Sequence, residues 1–277
     1  MKETGYPALL EYVRRVSYLL AMGRPAASVA LYLPSSAMWM GDAAADAQFV
    51  STERMLSERQ IDFDIVSEDV LAHDLKPGRG ALETMSGNSY RVVILPGEVV
   101  LSQAALDRLR AFAATGGKVL FLGHLPELIS DRTYLEARAA KAEDFRWAKI
   151  EVSAQLPETP TPPAQPPAAP PAGQVVPAVI EEAVRETVGS PDILLKDEAT
   201  SLRVMKRRLE NADVYFCFNE GATAISLPAT LRSKGAAVEV WDAQTGRIAR
   251  EPATRAEDGL QVRLALKPYE TRVLVVR

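Results

Sequence analysis

The first half of the chain alternates between short apolar runs and segments with helical periodicity. Four runs of four or five mostly apolar residues are bounded by turn residues, and amphipathic patterns separate them. The runs span residues 29–33, 63–66, 92–95 and 119–122. Helices are predicted between them near residues 45–58 and 102–113, and Ser102 can cap the second. Apolar strands that alternate with helices are typical of a parallel sheet covered on both faces. With right-handed crossovers, this pattern predicts a doubly wound, flavodoxin-like α/β layer over residues 1–150.

A helix is predicted ahead of the first strand, over residues 8–22. Leu9, Val13, Val16 and Leu20 recur at three- and four-residue spacing and therefore form an apolar stripe on one face. The α/β layer is expected to cover this stripe only in part. An uncovered apolar stripe favours association, so we predict that the helix contacts a second copy or another domain.

A proline-rich segment interrupts the chain after the α/β pattern. Residues 157–177 hold nine of the 19 prolines, mixed with Ala, Thr and Gln. Such a composition cannot form a core, so it predicts an extended, semi-rigid linker over residues 151–178. We expect limited proteolysis there to release two stable pieces.

Residues 179–277 follow a different pattern, in which apolar and polar positions alternate in short runs. A brief helix is predicted near 178–187, and turn residues then separate the runs. Several short strands without helices between them indicate an antiparallel β-sandwich. The predicted fold class is therefore α/β plus all-β: a parallel-sheet layer followed by a sandwich. The predicted strands cover 202–209, 214–219, 222–227, 237–241, 247–250, 260–266 and 271–276.

Composition excludes several functional classes. The net charge of -4 argues against a nucleic-acid partner, because no basic excess exists to neutralise phosphates. One cysteine and two histidines argue against a metal site, and no cofactor-binding motif is found.

No apolar run approaches a membrane span, and the N-terminus lacks a signal-peptide pattern. We expect a cytoplasmic protein if the chain is complete, or a periplasmic or secreted one if it belongs to a longer exported enzyme.

Candidate site residues lie where the predicted parallel strands end, because ligands bind there in such sheets. Glu98 and His124 form a weak candidate acid–base pair, although Glu98 can equally flank the next helix. Trp39 is predicted to lie in a loop after the first strand. Trp39, Asp42 and Asp46 are candidates for carbohydrate binding, since an indole stacks on a sugar ring and carboxylates accept hydrogen bonds from hydroxyl groups. The alternative is that Trp39 packs on its own core or on an absent domain. Cys217 is predicted to be a buried, unreactive residue.

Several segments resemble one enzyme family. YVRRVSYLLAMGRP at 12–25 and VALYLP at 29–34 are similar to the region that follows the catalytic barrel in α-L-rhamnosidases of glycoside hydrolase family 106. YRVVILP at 90–96 and GGKV at 116–119 resemble later strands of that family's class I amidotransferase-like layer. The family's closing β-domain is resembled by DVYFCFN at 213–219, VWDAQTG at 240–246 and LKPYET at 266–271.

The resemblance implies a non-catalytic, accessory region of a glycoside hydrolase that acts on plant or bacterial polysaccharide. Glycoside hydrolysis needs two carboxylates at a defined separation, and neither can be transferred from the family's barrel to a residue here. A separately encoded catalytic barrel is then the expected partner of the helix at 8–22, with self-association as the alternative. Two other readings stay open: a free-standing carbohydrate-binding protein, or a small hydrolase that uses the α/β crevice.

Overall fold

The computed structural model describes residues 5–97, 99–122, 124–131, 136–148 and 178–277. A π-helical turn spans Val70–Asp74, and a 3-10 turn spans Ala142–Phe145. The α-helices are α1 (Tyr6–Ala21), α2 (Ser35–Trp39), α3 (Ala43–Glu58), α4 (Gln103–Ala114) and α5 (Ala178–Val188). The strands are β1 (Arg24–Pro25), β2 (Val29–Tyr32), β3 (Phe63–Val66), β4 (Lys76–Gly78), β5 (Ala81–Glu83), β6 (Ser89–Tyr90), β7 (Val92–Pro96), β8 (Val100–Ser102), β9 (Lys118–Leu122), β10 (Leu128–Ser130), β11 (Arg138–Ala139), β12 (Ile193–Leu195), β13 (Leu202–Arg208), β14 (Asp213–Asn219), β15 (Ile225–Leu231), β16 (Val238–Trp241), β17 (Ile248–Glu251), β18 (Thr254–Ala256), β19 (Gly259–Leu266) and β20 (Thr271–Val276).

Four parallel strands form a sheet in the order β3-β2-β7-β9. Every residue of β2 and β7 is buried, as expected for central strands that are covered on both faces. On one face, Tyr32 and Phe121 pack with Leu109 and Phe112 of α4. Ser102 begins α4, as the sequence predicts, because its hydroxyl accepts a hydrogen bond from the Ala105 amide at 3.1 Å. The four predicted apolar strands are thus confirmed as neighbours in one sheet.

The opposite face of this sheet is covered by α3 and α5 together. Leu31 and Ile94 of the sheet share a core with Leu56 of α3 and with Ile180 and Val184 of α5. Helix α5 follows the predicted linker along the chain, yet it packs on the sheet that precedes that linker. The predicted linker itself, apart from Ala178, lies outside the described residues.

The C-terminal strands form two antiparallel sheets with a common core. The order is β1-β13-β14-β20-β16-β17 in the larger sheet and β12-β15-β19-β18 in the smaller. Tyr215 and Cys217 of the larger sheet pack against Leu227 and Leu264 of the smaller. Alternate residues of β14 point away from this core, in keeping with the two-residue period of a strand. The names flavodoxin-like layer and β-sandwich remain our proposal for these two halves.

Helix α1 packs on the outer face of the six-stranded sheet and not on the parallel layer. Leu19 is buried with Val214, Val273 and Val275. The Tyr12 hydroxyl lies 2.9 Å from the Thr271 hydroxyl, and β1 extends the same sheet by pairing with β13. The expectation that the α/β layer partly covers this helix is wrong, because α1 packs against the six-stranded C-terminal sheet. The two halves are therefore interleaved: each is completed by an element from the other side of the linker.

The interleaving predicts that cutting the linker does not separate the halves. If a specific protease site is introduced within residues 163–167 and cleaved, we expect both fragments to co-elute at the size of the intact chain. The physical reason is that α5 stays buried on the parallel sheet while α1 stays buried on the six-stranded sheet. Size-exclusion chromatography of the cleaved protein, with a denaturing gel to verify cleavage, measures this. Two separate peaks would support independent domains instead.

Candidate functional site

Near the carboxyl ends of the parallel strands, the side chain of Glu68 connects two helices. Glu68, just after β3, accepts a hydrogen bond from the Ser102 amide at 2.5 Å and from the Ser36 hydroxyl at 3.4 Å. It thereby links the start of α2 to the start of α4, where a negative charge is favoured. Both of its oxygens serve this structural contact, so Glu68 is a poor candidate for acid–base chemistry.

Of the predicted acid–base pair, the structure describes His124 alone. Glu98 lies outside the described residues. His124 is partly buried at the end of β9, and its Nδ1 lies 3.1 Å from the Leu125 carbonyl oxygen. A carbonyl can only accept a hydrogen bond, so this contact assigns the proton to Nδ1 and leaves Nε2 as the basic atom. The pairing of Glu98 with His124 stays a prediction.

The predicted carbohydrate-binding residues lie at the junction of α2 and α3. The segment around Trp39, which was expected to be a loop, is the short helix α2, and Trp39 is its last residue. Its side chain is 87% exposed, so the alternative that it packs on its own core is wrong. Asp42 begins α3 by accepting hydrogen bonds from the Ala44 and Ala45 amides at 2.9 and 3.3 Å. Asp46 is exposed in the first turn of α3. The indole is thus accessible, while one Asp42 oxygen is committed to the helix.

Cys217 has no nucleophilic role. It lies in β14 and is fully buried between the two antiparallel sheets. Burial raises the pKa of its thiol to about 12, so the thiolate needed for covalent chemistry does not form near neutral pH. The sequence-based prediction for this residue is confirmed.

A cleft lies at the edge of the parallel sheet where β2 and β3 begin. This cleft has a volume of about 1490 Å³ and is bordered by the starts of β2 and β3, by α5 and by the ends of the C-terminal strands. The described residues that line it carry both charge signs and include no aromatic side chain. Its charged residues are Arg59, Asp62, Arg91, Glu181, Glu182, Arg185, Asp192, Lys206, Arg208, Glu210, Asp213, Arg232, Lys234, Arg255, Glu257, Asp258 and Arg277.

A buried lysine forms the floor of this cleft. The Lys206 side chain is 4% exposed, and its ammonium donates to Asp192 at 2.9 Å and to the Arg232 carbonyl at 2.8 Å. Asp213 lies 3.6 Å away, and the Tyr215 ring is centred 5.0 Å from the same nitrogen. A buried cation is tolerated because these groups replace the water it has lost. Burial and the nearby carboxylates raise the pKa of Tyr215, so its hydroxyl stays protonated and donates to the Arg232 carbonyl at 2.7 Å.

Asp62 faces this cluster from the parallel layer. Its carboxyl group accepts a hydrogen bond from the Lys206 backbone amide at 3.0 Å. Burial raises the pKa of Asp62 to about 7, and the charges of Asp192 and Asp64 act in the same direction. Sequence analysis did not find this group, because Asp62, Asp192 and Lys206 are far apart along the chain and match no local motif.

The described residues contain neither a three-residue metal-ligand group nor an apolar helix of membrane-spanning length. Within them, no group of three or more His, Cys, Asp or Glu is placed to hold a metal ion. None of the helices in that part of the chain combines the length and apolarity of a membrane span.

Comparison with known proteins identifies the family. The sequence model of the α-L-rhamnosidases of glycoside hydrolase family 106 matches residues 4–252. The chain belongs to this family. A solved rhamnosidase from Novosphingobium sp. PP1Y superposes with a TM-score of 0.67 at 20% identity, over 98% of this chain and 24% of that one. A β-galactosidase from Bacillus circulans sp. alkalophilus superposes with a TM-score of 0.60 at 14% identity, over 96% of this chain and 44% of that one.

A curated relative is also much longer than this chain. A putative β-glucuronidase of Formosa agariphila is 21% identical over 250 residues, which cover 89% of this chain and 18% of the relative. The family member described here therefore spans less than a fifth of this relative and about a quarter of the Novosphingobium rhamnosidase. The structural matches, at these identities, establish a shared fold.

Proposed function

We propose that this chain is the accessory, non-catalytic region of an α-L-rhamnosidase-like glycoside hydrolase that acts on plant or bacterial polysaccharide. The observation that carries the proposal is the coverage: nearly the whole chain superposes on about a quarter of a rhamnosidase. Hydrolysis of a glycosidic bond needs two carboxylates that are free to act. The carboxylates described at the carboxyl edge of the parallel sheet argue against such a pair, because Glu68 joins two helices and Asp42 caps α3.

Exposed apolar side chains on the outer face of α1 favour a binding partner for this region. We use this name for Tyr6, Leu9, Leu10 and Val13, which lie on one side of the helix and are between 48% and 62% exposed. A contiguous group of large exposed apolar side chains marks a surface that another domain can cover. The other side of α1 is fixed on the six-stranded sheet by Leu19 and by hydrogen bonds from Arg15 to the Ala243 and Gln244 carbonyls. We propose that a catalytic barrel, in the same or a separate polypeptide, covers this face.

A carbohydrate-binding protein is the second candidate, and the 87% exposure of Trp39 favours it. Met40, the next residue, is also exposed, so the indole lies in an apolar patch at the end of α2. An accessible indole suits stacking on a sugar ring, with Asp46 near enough along the chain to contact hydroxyl groups.

We expect the chain alone to hydrolyse no 4-nitrophenyl α-L-rhamnopyranoside, because Glu68 and Asp42, at the described carboxyl edge of the parallel sheet, are both bound to backbone amides. Release of nitrophenolate, measured by absorbance across the pH range, tests this, with a heat-denatured sample as the blank. Turnover that disappears in both Glu98→Gln and His124→Ala would restore the small hydrolase that uses the α/β crevice.

Substitutions on α1 distinguish the outer face from core. Leu9→Asp and Val13→Asp together are expected to leave the thermal unfolding midpoint nearly unchanged, because both side chains are exposed. The matched control is Leu19→Asp, which places a charge beneath the helix and is expected to cost about 3 kcal/mol or more. Sedimentation velocity of the parent protein reports whether the face also joins two copies. A loss of stability in the double variant similar to that of Leu19→Asp would mean that the face is already covered within the chain.

If the second candidate is correct, rhamnose-containing polysaccharide binds at Trp39. Trp39→Ala is then expected to raise the dissociation constant at least about tenfold, since stacking on an aromatic ring is worth roughly 1 kcal/mol or more. Isothermal titration calorimetry gives the constant, and Met40→Ala is the neighbouring control. Equal affinities of the parent and Trp39→Ala would remove this candidate.

A further inference from the structure

The two flanks of α1 face different parts of the six-stranded sheet. Leu19 points at the sheet and is buried against β14 and β20. Arg15, roughly 40° to one side of Leu19 around the helix, donates to the Ala243 carbonyl just after β16. Leu9 and Val13 lie roughly 80° and 120° to the other side of Leu19. Because β16 and β14 lie on opposite sides of β20, the flank with Leu9 and Val13 faces β14 and β13.

The sheet surface beside that flank is apolar. Cys217 points into the core between the sheets, so its neighbours Phe216 and Phe218 point to the outer face. Met205 of β13 is exposed on the same face, because it pairs with Phe216 across the two strands. Phe216 also packs against the cluster that contains Leu19, so this apolar surface begins directly beside the helix. We use the name α1–β14 corner for Leu9, Val13, Met205, Phe216 and Phe218.

Helix α1 extends beyond the sheet at one end of this corner. Every residue from Gly5 to Glu11 is exposed, so the first two turns bury no side chain within the described part of the chain. Near the same end, two residues before the Thr271 that contacts α1, the exposed Tyr269 has a φ of 58°. A positive φ is rare for an aromatic residue. Helical turns of this kind gain most of their stability from packing, which favours a partner around them.

The charged side chains around the corner are paired within the chain. Arg203, which lies opposite Phe218 in the sheet, forms an ion pair with Glu220. Arg14 forms an ion pair with Glu11 at 2.9 Å on the exposed side of α1. Since opposite charges across an interface favour charged partners, a surface whose charges are already matched favours an uncharged, apolar one.

The comparison with the Novosphingobium rhamnosidase bears on the identity of this partner. This chain superposes on 24% of that enzyme, so about three quarters of the enzyme lies outside the matched part. A body of that size is large enough to bury the roughly 800 Å² per partner that is usual for stable protein complexes.

We propose that the α1–β14 corner receives an apolar segment of the catalytic domain, which inserts between the exposed flank of α1 and the outer surface of β13 and β14. This docking rests on the proposed accessory role and adds Met205, Phe216 and Phe218 to the contacts of the outer face of α1. A partner that touches both the helix and the sheet is held in one orientation. A partner that touches the helix alone can rotate about the helix axis.

Binding to a shortened rhamnosidase tests the corner. The probe is the Novosphingobium sp. PP1Y rhamnosidase without the quarter that superposes on this chain, and biolayer interferometry gives its Kd for the full chain. Met205→Asp is expected to raise the Kd at least about tenfold, because it places a charge in an apolar contact. Ile248→Asp is the matched control: Ile248 is exposed on the same face of the sheet, but on the Arg15 flank of α1. It should bind as the parent chain does.

Two further variants separate a lost contact from a lost fold. Met205→Leu keeps an apolar side chain and is expected to retain the parent Kd. Circular dichroism verifies that each variant is folded. If Met205→Asp does not fold, Phe218→Ala takes its place, because it only truncates a partly exposed ring, and the same rise in Kd is expected.

The failures of the corner and of the accessory role differ in this experiment. If Leu9→Asp weakens binding while Met205→Asp binds as the parent does, the sheet is not part of the contact and the corner is wrong, whereas the accessory role stands. An equal loss in Ile248→Asp overturns the corner as well. If the parent chain does not bind the probe, both proposals are contradicted. Self-association that Met205→Asp abolishes, without binding to the probe, assigns the corner to a second copy of this chain instead.

Discussion

Ile180, Ala183 and Val184 of α5 complete the core on one face of the parallel sheet, and the arrangement of the two halves depends on that burial. Fully burying an apolar side chain of this kind contributes roughly 1–3 kcal/mol, so the three together supply several kcal/mol. About 30 residues separate Ala148 from α5, and the entropic cost of bringing the ends of a chain segment together grows only slowly with its length. The helix therefore stays on the sheet even though it is distant from it along the chain. Once α5 is in place, β12 and the strands after it are held beside the parallel layer.

Local patterns were enough to predict most elements, because their signals are contained within a few residues. The four apolar strands, the Ser102 cap of α4 and the short helix near residue 178 are all where periodicity and capping place them. The short helix α2 was missed because its five residues are too few to show a period. Strand β12 was missed as well, since Ile193–Leu195 is only three residues long. The partners of α1 and α5 could not be predicted, because an apolar stripe indicates that a helix is buried without indicating where.

The candidate sites show the same limit more sharply. Trp39, Asp42 and Asp46 are close along the chain, and the structure keeps them close at the α2–α3 junction. The sequence did not show the surroundings of these side chains. Asp42 accepts a hydrogen bond from the first turn of α3, and Trp39 is exposed. The cleft around Lys206 lies at the edge of the parallel sheet opposite to the one where ligands are expected. Its chemistry arises only when a loop after α3 meets a strand more than a hundred residues later, so no pattern within a window of sequence can reveal it.

The chain belongs to a glycoside hydrolase family, and the use of its described carboxylates supports our proposal of an accessory role. Carboxylates that a hydrolase would leave free are here bound to backbone amides: Glu68 at α4, Asp42 at α3 and Asp62 at β13. A carboxylate that accepts hydrogen bonds from backbone amides is restricted in position, because moving toward a substrate would break those bonds. By contrast, α1 carries several exposed apolar side chains and α2 ends on the exposed Trp39, while Leu19 and Ala37 are buried on the inner sides of these helices. A rigid helix with one fixed face and one open apolar face is suited to orient another domain, since the helix itself need not become ordered on binding. This division, with polar groups used internally and apolar groups exposed, is why we propose that the chain positions another domain.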